Sequence, residues 1–224
     1  EARFGPVPAN LDGIAGPQRL IDLVQRLRAL AAREKDEIRQ RFPDLLRRVG
    51  GYNIDGISER GHNMADMLVG SEGTLGFFTG IELALQPLPA HRVLGVCHFP
   101  TFRAAMEATP RIVTLGPSAV ELVDSTMIDL ARDIPAYGSI IDRFVVGRPA
   151  ALLLVEFAGD DAPAQHRGLA RLVEMMGDLG HPGAVLEATD DRFQRDVWEV
   201  RKAGLNIMMS MKGDGKPISF IEDC

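Results

Sequence analysis

Beyond residue 91 the chain alternates short apolar runs with stretches of helical periodicity, and this rhythm limits its fold more than any other feature. Residues 92–99 and 119–123 read as strands, and 101–109 and 125–132 as helices, with Ser125 placed to cap the second. The rhythm then repeats. An unbroken apolar run at 150–157 is followed by a helix at 162–179 closed by Gly180, a strand at 184–189, and a helix from Asp190 to about Met209. Strands and helices joined by short loops predict a sheet with helices packed on it, either doubly wound or of the split β-α-β type. Its core is expected to hold Val93, Leu94, Val96, Leu152, Leu154, Val155, Val185 and Leu186.

The first part of the chain reads differently. Leu20, Val24, Leu27 and Ala31 recur at three- and four-residue steps within 17–41, the mark of an amphipathic helix. Its basic residues Arg26, Arg28, Arg33 and Lys35 are expected on the solvated face, with a phosphate-binding patch as the alternative. Pro43 ends the helix, a short basic helical stretch follows at 44–48, and 50–56 is turn-rich. Residues 63–88 are apolar but broken by glycines, and the step Pro87-Leu88-Pro89 is the best boundary between two units, 1–88 and 89–224.

Composition narrows the class. With 224 residues, 46% hydrophobic and 25% charged, the chain can bury a core, and it lacks the bias of disordered or fibrous proteins. A net charge of -6 argues against a dedicated nucleic-acid binder, which needs an excess of Lys and Arg. Two cysteines, Cys97 and Cys224, exclude a disulfide framework and any C-x-x-C motif, so a reducing compartment is the default. No apolar run reaches the roughly 20 residues that span a bilayer. Glu1 at the start, and the strand-like run 217–221 just before Cys224, suggest a piece of a longer protein.

Two segments carry candidate chemistry. In Leu68-Val69-Gly70-Ser71-Glu72-Gly73-Thr74-Leu75-Gly76 three glycines are spaced by two residues. Such spacing lets backbone approach a ligand, and consecutive N–H groups with a Ser or Thr hydroxyl can make an anion-binding concavity. A tight structural turn is an equal reading, and neither a Walker loop nor the Rossmann fingerprint is present. In Val197-Trp198-Glu199-Val200-Arg201-Lys202, a helix would bring Trp198, Arg201 and Leu205 near one face. A guanidinium beside an aromatic wall suits a carboxylate, held by two parallel hydrogen bonds. The alternative is an Arg201 paired with Asp196, Glu199 or a neighbouring strand. The five histidines (His62, His91, His98, His166, His181) show no metal-ligand spacing, Ser71 and Ser125 lack a recognisable base, and Met208, Met209 and Met211 read as core filling.

Residues 66–79 resemble the "LVGSEGTLG-x-x-T" signature of the flavin-linked oxidases of the vanillyl-alcohol oxidase type, the group with D-lactate, glycolate and D-2-hydroxyglutarate dehydrogenases. Residues 47–55 resemble the stretch preceding that signature, and 213–224 are similar to the large members that carry an appended iron–sulfur domain. The resemblance covers nearly the whole chain. It implies an α+β protein, with 1–88 the second half of a flavin domain and 89–224 most of an antiparallel, ferredoxin-like cap over the substrate. It places Gly70, Ser71, Glu72, Gly73, Thr74, Leu75 and Gly76 against FAD, and Arg201 and, more loosely, Lys216 on the carboxylate of a 2-hydroxy acid.

Where the family places a companion hydroxyl four residues after the arginine, this chain has Leu205, next to Asn206. The family's pyrophosphate loop, its metal-binding histidine segment and its catalytic histidine find no match. The resemblance therefore implies a middle piece of a flavin-dependent 2-hydroxy-acid dehydrogenase that alone binds FAD weakly or not at all and is inactive. It further implies a cytoplasmic enzyme, or one peripheral to the inner membrane, able to oligomerise, with an iron–sulfur cluster in the parent's later part and an unspecified electron acceptor. A non-catalytic α/β binding or assembly module is the alternative.

Overall fold

A computed structural model describes residues 3–11, 16–44, 50–58 and 61–213. The chain divides into two compact units at Ala84/Leu85.

In the first unit, strand β1 (Pro6–Pro8) pairs antiparallel with β2 (Gly61–Asn63). Helix α1 (Gln18–Arg33) buries Val24 against a small cluster of Val7 and Met64, flanked by Phe4, Leu11 and Leu27. The single helix expected over 17–41 is broken at Glu34, and α2 (Lys35–Arg41) buries no residue. Arg28 corrects the expectation of a wholly solvated basic face. It is buried, and its guanidinium donates to the carbonyls of Ala9 (2.9 Å) and Pro8 (2.6 Å). Backbone carbonyls at the end of a strand need donors, and the buried arginine supplies them here. The expected stretch at 44–48 lies, beyond Asp44, outside the described residues. Within the turn-rich loop one 3-10 turn forms at Ile54–Gly56, and a second covers Met64–Met67.

The second unit is a four-stranded sheet of β3 (His91–Phe99), β4 (Ala119–Asp124), β5 (Ala151–Gly159) and β6 (Val185–Ala188), in the order β4-β5-β3-β6. Every pairing is antiparallel, which excludes the doubly wound alternative and gives the ferredoxin-like arrangement. Alternation along the strands sends side chains to two faces. One face, with Val93, Cys97, Phe99, Leu153, Val155 and Phe157, is covered by α3 (Phe102–Val113) and α6 (Ala162–Asp178). The other, with Leu94, Val96, Val123, Leu152 and Leu154, is covered by α4 (Ser125–Arg132), α5 (Pro135–Phe144), α7 (Asp191–Lys202) and α8 (Gly204–Met209). The strands are apolar on both faces because both faces are covered. Of the expected core, Val185 and Leu186 are only half-buried, since β6 is an edge strand.

Three local readings shift. The cap of α4 is Asp124, whose carboxylate accepts from the Met127 N–H (2.9 Å), so Ser125 is the first helical residue. The helix expected from Asp190 to Met209 breaks at Ala203, just before Gly204, and becomes α7 and α8. Helix α5 occupies a stretch with no expected element. Among the described residues no helix is long and apolar enough to cross a membrane.

Candidate functional site

The glycine-rich segment of the first unit folds as two successive turns. Ser71 N–H donates to Leu68 O (3.2 Å) and Thr74 N–H to Ser71 O (2.9 Å). Gly70 and Gly73 hold φ of +74° and +77°, which glycine adopts without a Cβ clash, and Glu72 holds +50°, alone among the described non-glycine residues in being positive. The turn is pinned from outside. Thr74 Oγ1 donates to Ser71 O (2.6 Å), which leaves it to accept from the Tyr52 hydroxyl (2.8 Å). Asn53 Nδ2 donates to the carbonyls of Asp66 (3.0 Å) and Val69 (3.3 Å).

In the second unit, α7 carries Trp198 and Arg201 on the face of the sheet where Glu121 of β4 and Glu156 of β5 also stand. The register sets Glu121 opposite Leu154 and Ala119 opposite Glu156, so the two carboxylates are diagonal neighbours. Trp198 Nε1 donates to Glu156 Oε2 (3.0 Å), and Ser118 Oγ donates to the Glu156 carbonyl (2.9 Å). Arg201 Nη2 donates to Glu121 Oε2 at 2.7 Å. Its Nε is buried without a partner, and Nη1 has none among the described residues.

Of the three structural partners offered for Arg201, the neighbouring strand is therefore the one observed. Asp196 is taken by Arg143 (2.7 Å), whose guanidinium also lies over the Phe193 ring (4.6 Å), and Glu199 is taken by Lys202 (3.2 Å). Leu205 does not share a helix with Arg201. It belongs to α8 and is 71% exposed. Lys216 lies outside the described residues. Glu121 and Glu156 went unnoticed in the sequence, although each is a carboxylate interrupting an apolar strand, and such a group demands a partner.

The pattern of the FAD linked oxidases, C-terminal domain, matches residues 88–224. The chain belongs to this family. FAD linked oxidase relatives include a D-2-hydroxyglutarate dehydrogenase of Pantoea ananatis, 29% identical over 97% of this chain and 23% of the relative. That of Escherichia coli is 30% identical over 81% and 19%. The mitochondrial D-lactate dehydrogenase [cytochrome] of Arabidopsis thaliana is 29% identical over 66% and 25%. The chain thus spans about a fifth to a quarter of the length of these relatives. Among solved structures, an alkyldihydroxyacetonephosphate synthase is 15% identical with a TM-score of 0.48, over 69% of this chain and 31% of that one.

The loop at 70–76 has free bonding capacity of the kind a flavin dinucleotide needs. Ser71 is 2% exposed, yet its hydroxyl has no partner. The N–H groups of Glu72, Gly73, Leu75 and Gly76 donate to no acceptor among the described residues. A Cβ added at Gly73 or Gly76 would meet nothing within 4 Å, so the backbone there is bare. These N–H groups are open to solvent, and donors on a bare backbone beside the buried Ser71 hydroxyl suit the oxygens of such a ligand.

Proposed function

We propose that this chain is part of a flavin-dependent dehydrogenase that oxidises a 2-hydroxy acid of the D-lactate, glycolate or D-2-hydroxyglutarate class. When bound, FAD would supply the electron sink, accepting a hydride from the carbinol carbon. The segment from Gly70 through Ser71, Glu72, Gly73, Thr74 and Leu75 to Gly76 would hold it through bare N–H groups and the Ser71 hydroxyl. Arg201 would hold the substrate carboxylate, with Trp198 excluding water beside the ion pair and so lowering the local dielectric. Lys216 is proposed as a second carboxylate ligand.

The observation that carries this reading is the incomplete use of Arg201. A guanidinium offers five N–H donors, and a single monodentate contact occupies one of them. The Glu121 pair also favours the second reading, a non-catalytic module in which Arg201 is structural. Kinetics separate the two. In the FAD-loaded enzyme containing this chain, Arg201→Lys keeps the charge but loses the planar fork. KM for D-2-hydroxyglutarate and D-lactate should rise by a factor equivalent to about 2–5 kcal/mol, kcat should fall less, and the melting temperature should hold. An unchanged KM with a lowered melting temperature would leave Arg201 a structural residue.

A further inference from the structure

We infer that Glu121 is an internal carboxylate that occupies Arg201 in place of substrate and must be displaced when the 2-hydroxy acid binds. The inference rests on the role proposed above for Arg201. Chemically, the Glu121 side chain and the substrate carboxylate are the same group, and Glu121 already makes the charge-assisted bond expected of a bound acid, at 2.7 Å from Nη2. The guanidinium keeps its charge, but the Arg201–Glu121 pair is net neutral, so its pull on an incoming anion is weakened, and a second carboxylate would be repelled by the first.

The neighbouring groups make this contact displaceable. Glu121 stands on β4, an edge strand, and the side chains of Arg201 and Glu121 are 38% and 41% exposed. Half-exposed ion pairs of this kind are weak, because water competes for both partners. Glu156, the other carboxylate on this face, is held toward Trp198 by the indole bond to Oε2 and makes no bond to the arginine. Glu121 is the one hydrogen-bond partner of the Arg201 side chain among the described residues, while Nε is buried without a partner and Nη1 lies 3.7 Å from the place a Gly204 Cβ would take. A departing Glu121 would leave the Nη1–Nη2 edge clear for two parallel bonds to substrate.

Glu121→Gln keeps the shape and an acceptor oxygen but removes the charge. In the FAD-loaded enzyme, KM for D-2-hydroxyglutarate and D-lactate should fall about two- to fivefold with kcat within about twofold. The inhibition constant of oxalate, which has no carbinol hydrogen to lose, should fall by the same factor. Glu121→Asp, whose shorter arm cannot make the 2.7 Å contact, should shift both in the same direction. Glu199→Gln removes one negative charge from α7 outside this contact and serves as the control. An equal fall in that variant would show a field effect and overturn the inference. Unchanged or raised constants in Glu121→Gln, with Arg201→Lys still raising KM, would overturn it while leaving the proposed function intact. If Arg201→Lys leaves KM unchanged, both readings fall.

Discussion

The two units bury their apolar residues to very different degrees. The second encloses a sheet between two helical layers, with Leu94, Val96, Leu152, Leu153, Leu154 and Val155 each at most 1% exposed. The first has a core of Val7, Val24 and Met64, while Phe77, Ile81 and Leu83 stand 93%, 72% and 74% exposed. Apolar burial is the main favourable term in folding, so stability in this chain is concentrated in the sheet. The candidate site residues follow the same division. Arg201 and Trp198 stand on a closed scaffold, whereas the loop at 70–76 depends on local turns and on the hydrogen bonds from Tyr52 and Asn53. The proposed carboxylate grip of Arg201 would benefit from the first kind of support, since a binding geometry must be held to about half an ångström.

The largest effect is expected in the sheet. Leu154→Ala should cost about 2–5 kcal/mol in denaturant unfolding, since the cavity lies under four helices that cannot all collapse into it. Native-state hydrogen exchange should show the loss in β3 and β5. An equal loss of protection in α1 would show that the units do not differ as described.

A smaller effect comes from Cys97, whose burial in the sheet pushes its thiol up to about 12. The unfolded chain forms thiolate at a lower pH than the folded one. Stability from this group is therefore complete below the ordinary thiol value and declines as pH rises from about 9 towards 12. Unfolding midpoints of the parent chain and Cys97→Ala should converge over that window and run parallel below it. Parallel behaviour throughout would place the thiol in contact with water. The least effect is expected from Phe77→Ser, within about 0.5 kcal/mol in this 224-residue chain, because the ring loses no burial. A loss above about 1 kcal/mol would reveal packing in the first unit that its exposure denies.

The sheet was legible because its signals are local. The run at 150–157 and the periodicity closed by Gly180 differ from β5 and α6 by two residues or fewer at each end, and Gly180 takes the left-handed φ of +85° expected of a helix stop. Helix α5 was hidden by Gly138 and Ser139, weak helix formers in its middle. Tertiary structure explains the glycine, since a Cβ there would come within 2.8 Å of the Arg132 carbonyl. Arg28 is buried where a solvated residue is expected, because periodicity gives a residue's face and not its partners. The same limit hid Glu121, since which strand lies beside α7 depends on pairings 80 residues apart in the chain. The glycine-rich loop was legible as a bare backbone, but the orphan Ser71 hydroxyl appears only once the chain is folded.

The proposed function divides the labour, with the loop of the first unit to hold flavin and the arginine of the second to hold substrate. Gly76 offers the sharpest test, because its φ is not in the left-handed region and its Cβ would touch nothing in this chain. A Cβ there meets open space, so a side chain at 76 is expected to cost little in folding and to project where a ligand would lie. The measurement is the flavin-to-protein absorbance ratio of the purified enzyme containing this chain, for Gly76→Val beside Arg201→Lys, each with unchanged circular dichroism. Gly76→Val should lose most of its flavin while Arg201→Lys keeps a full complement. Stoichiometric flavin in Gly76→Val would contradict this division of labour.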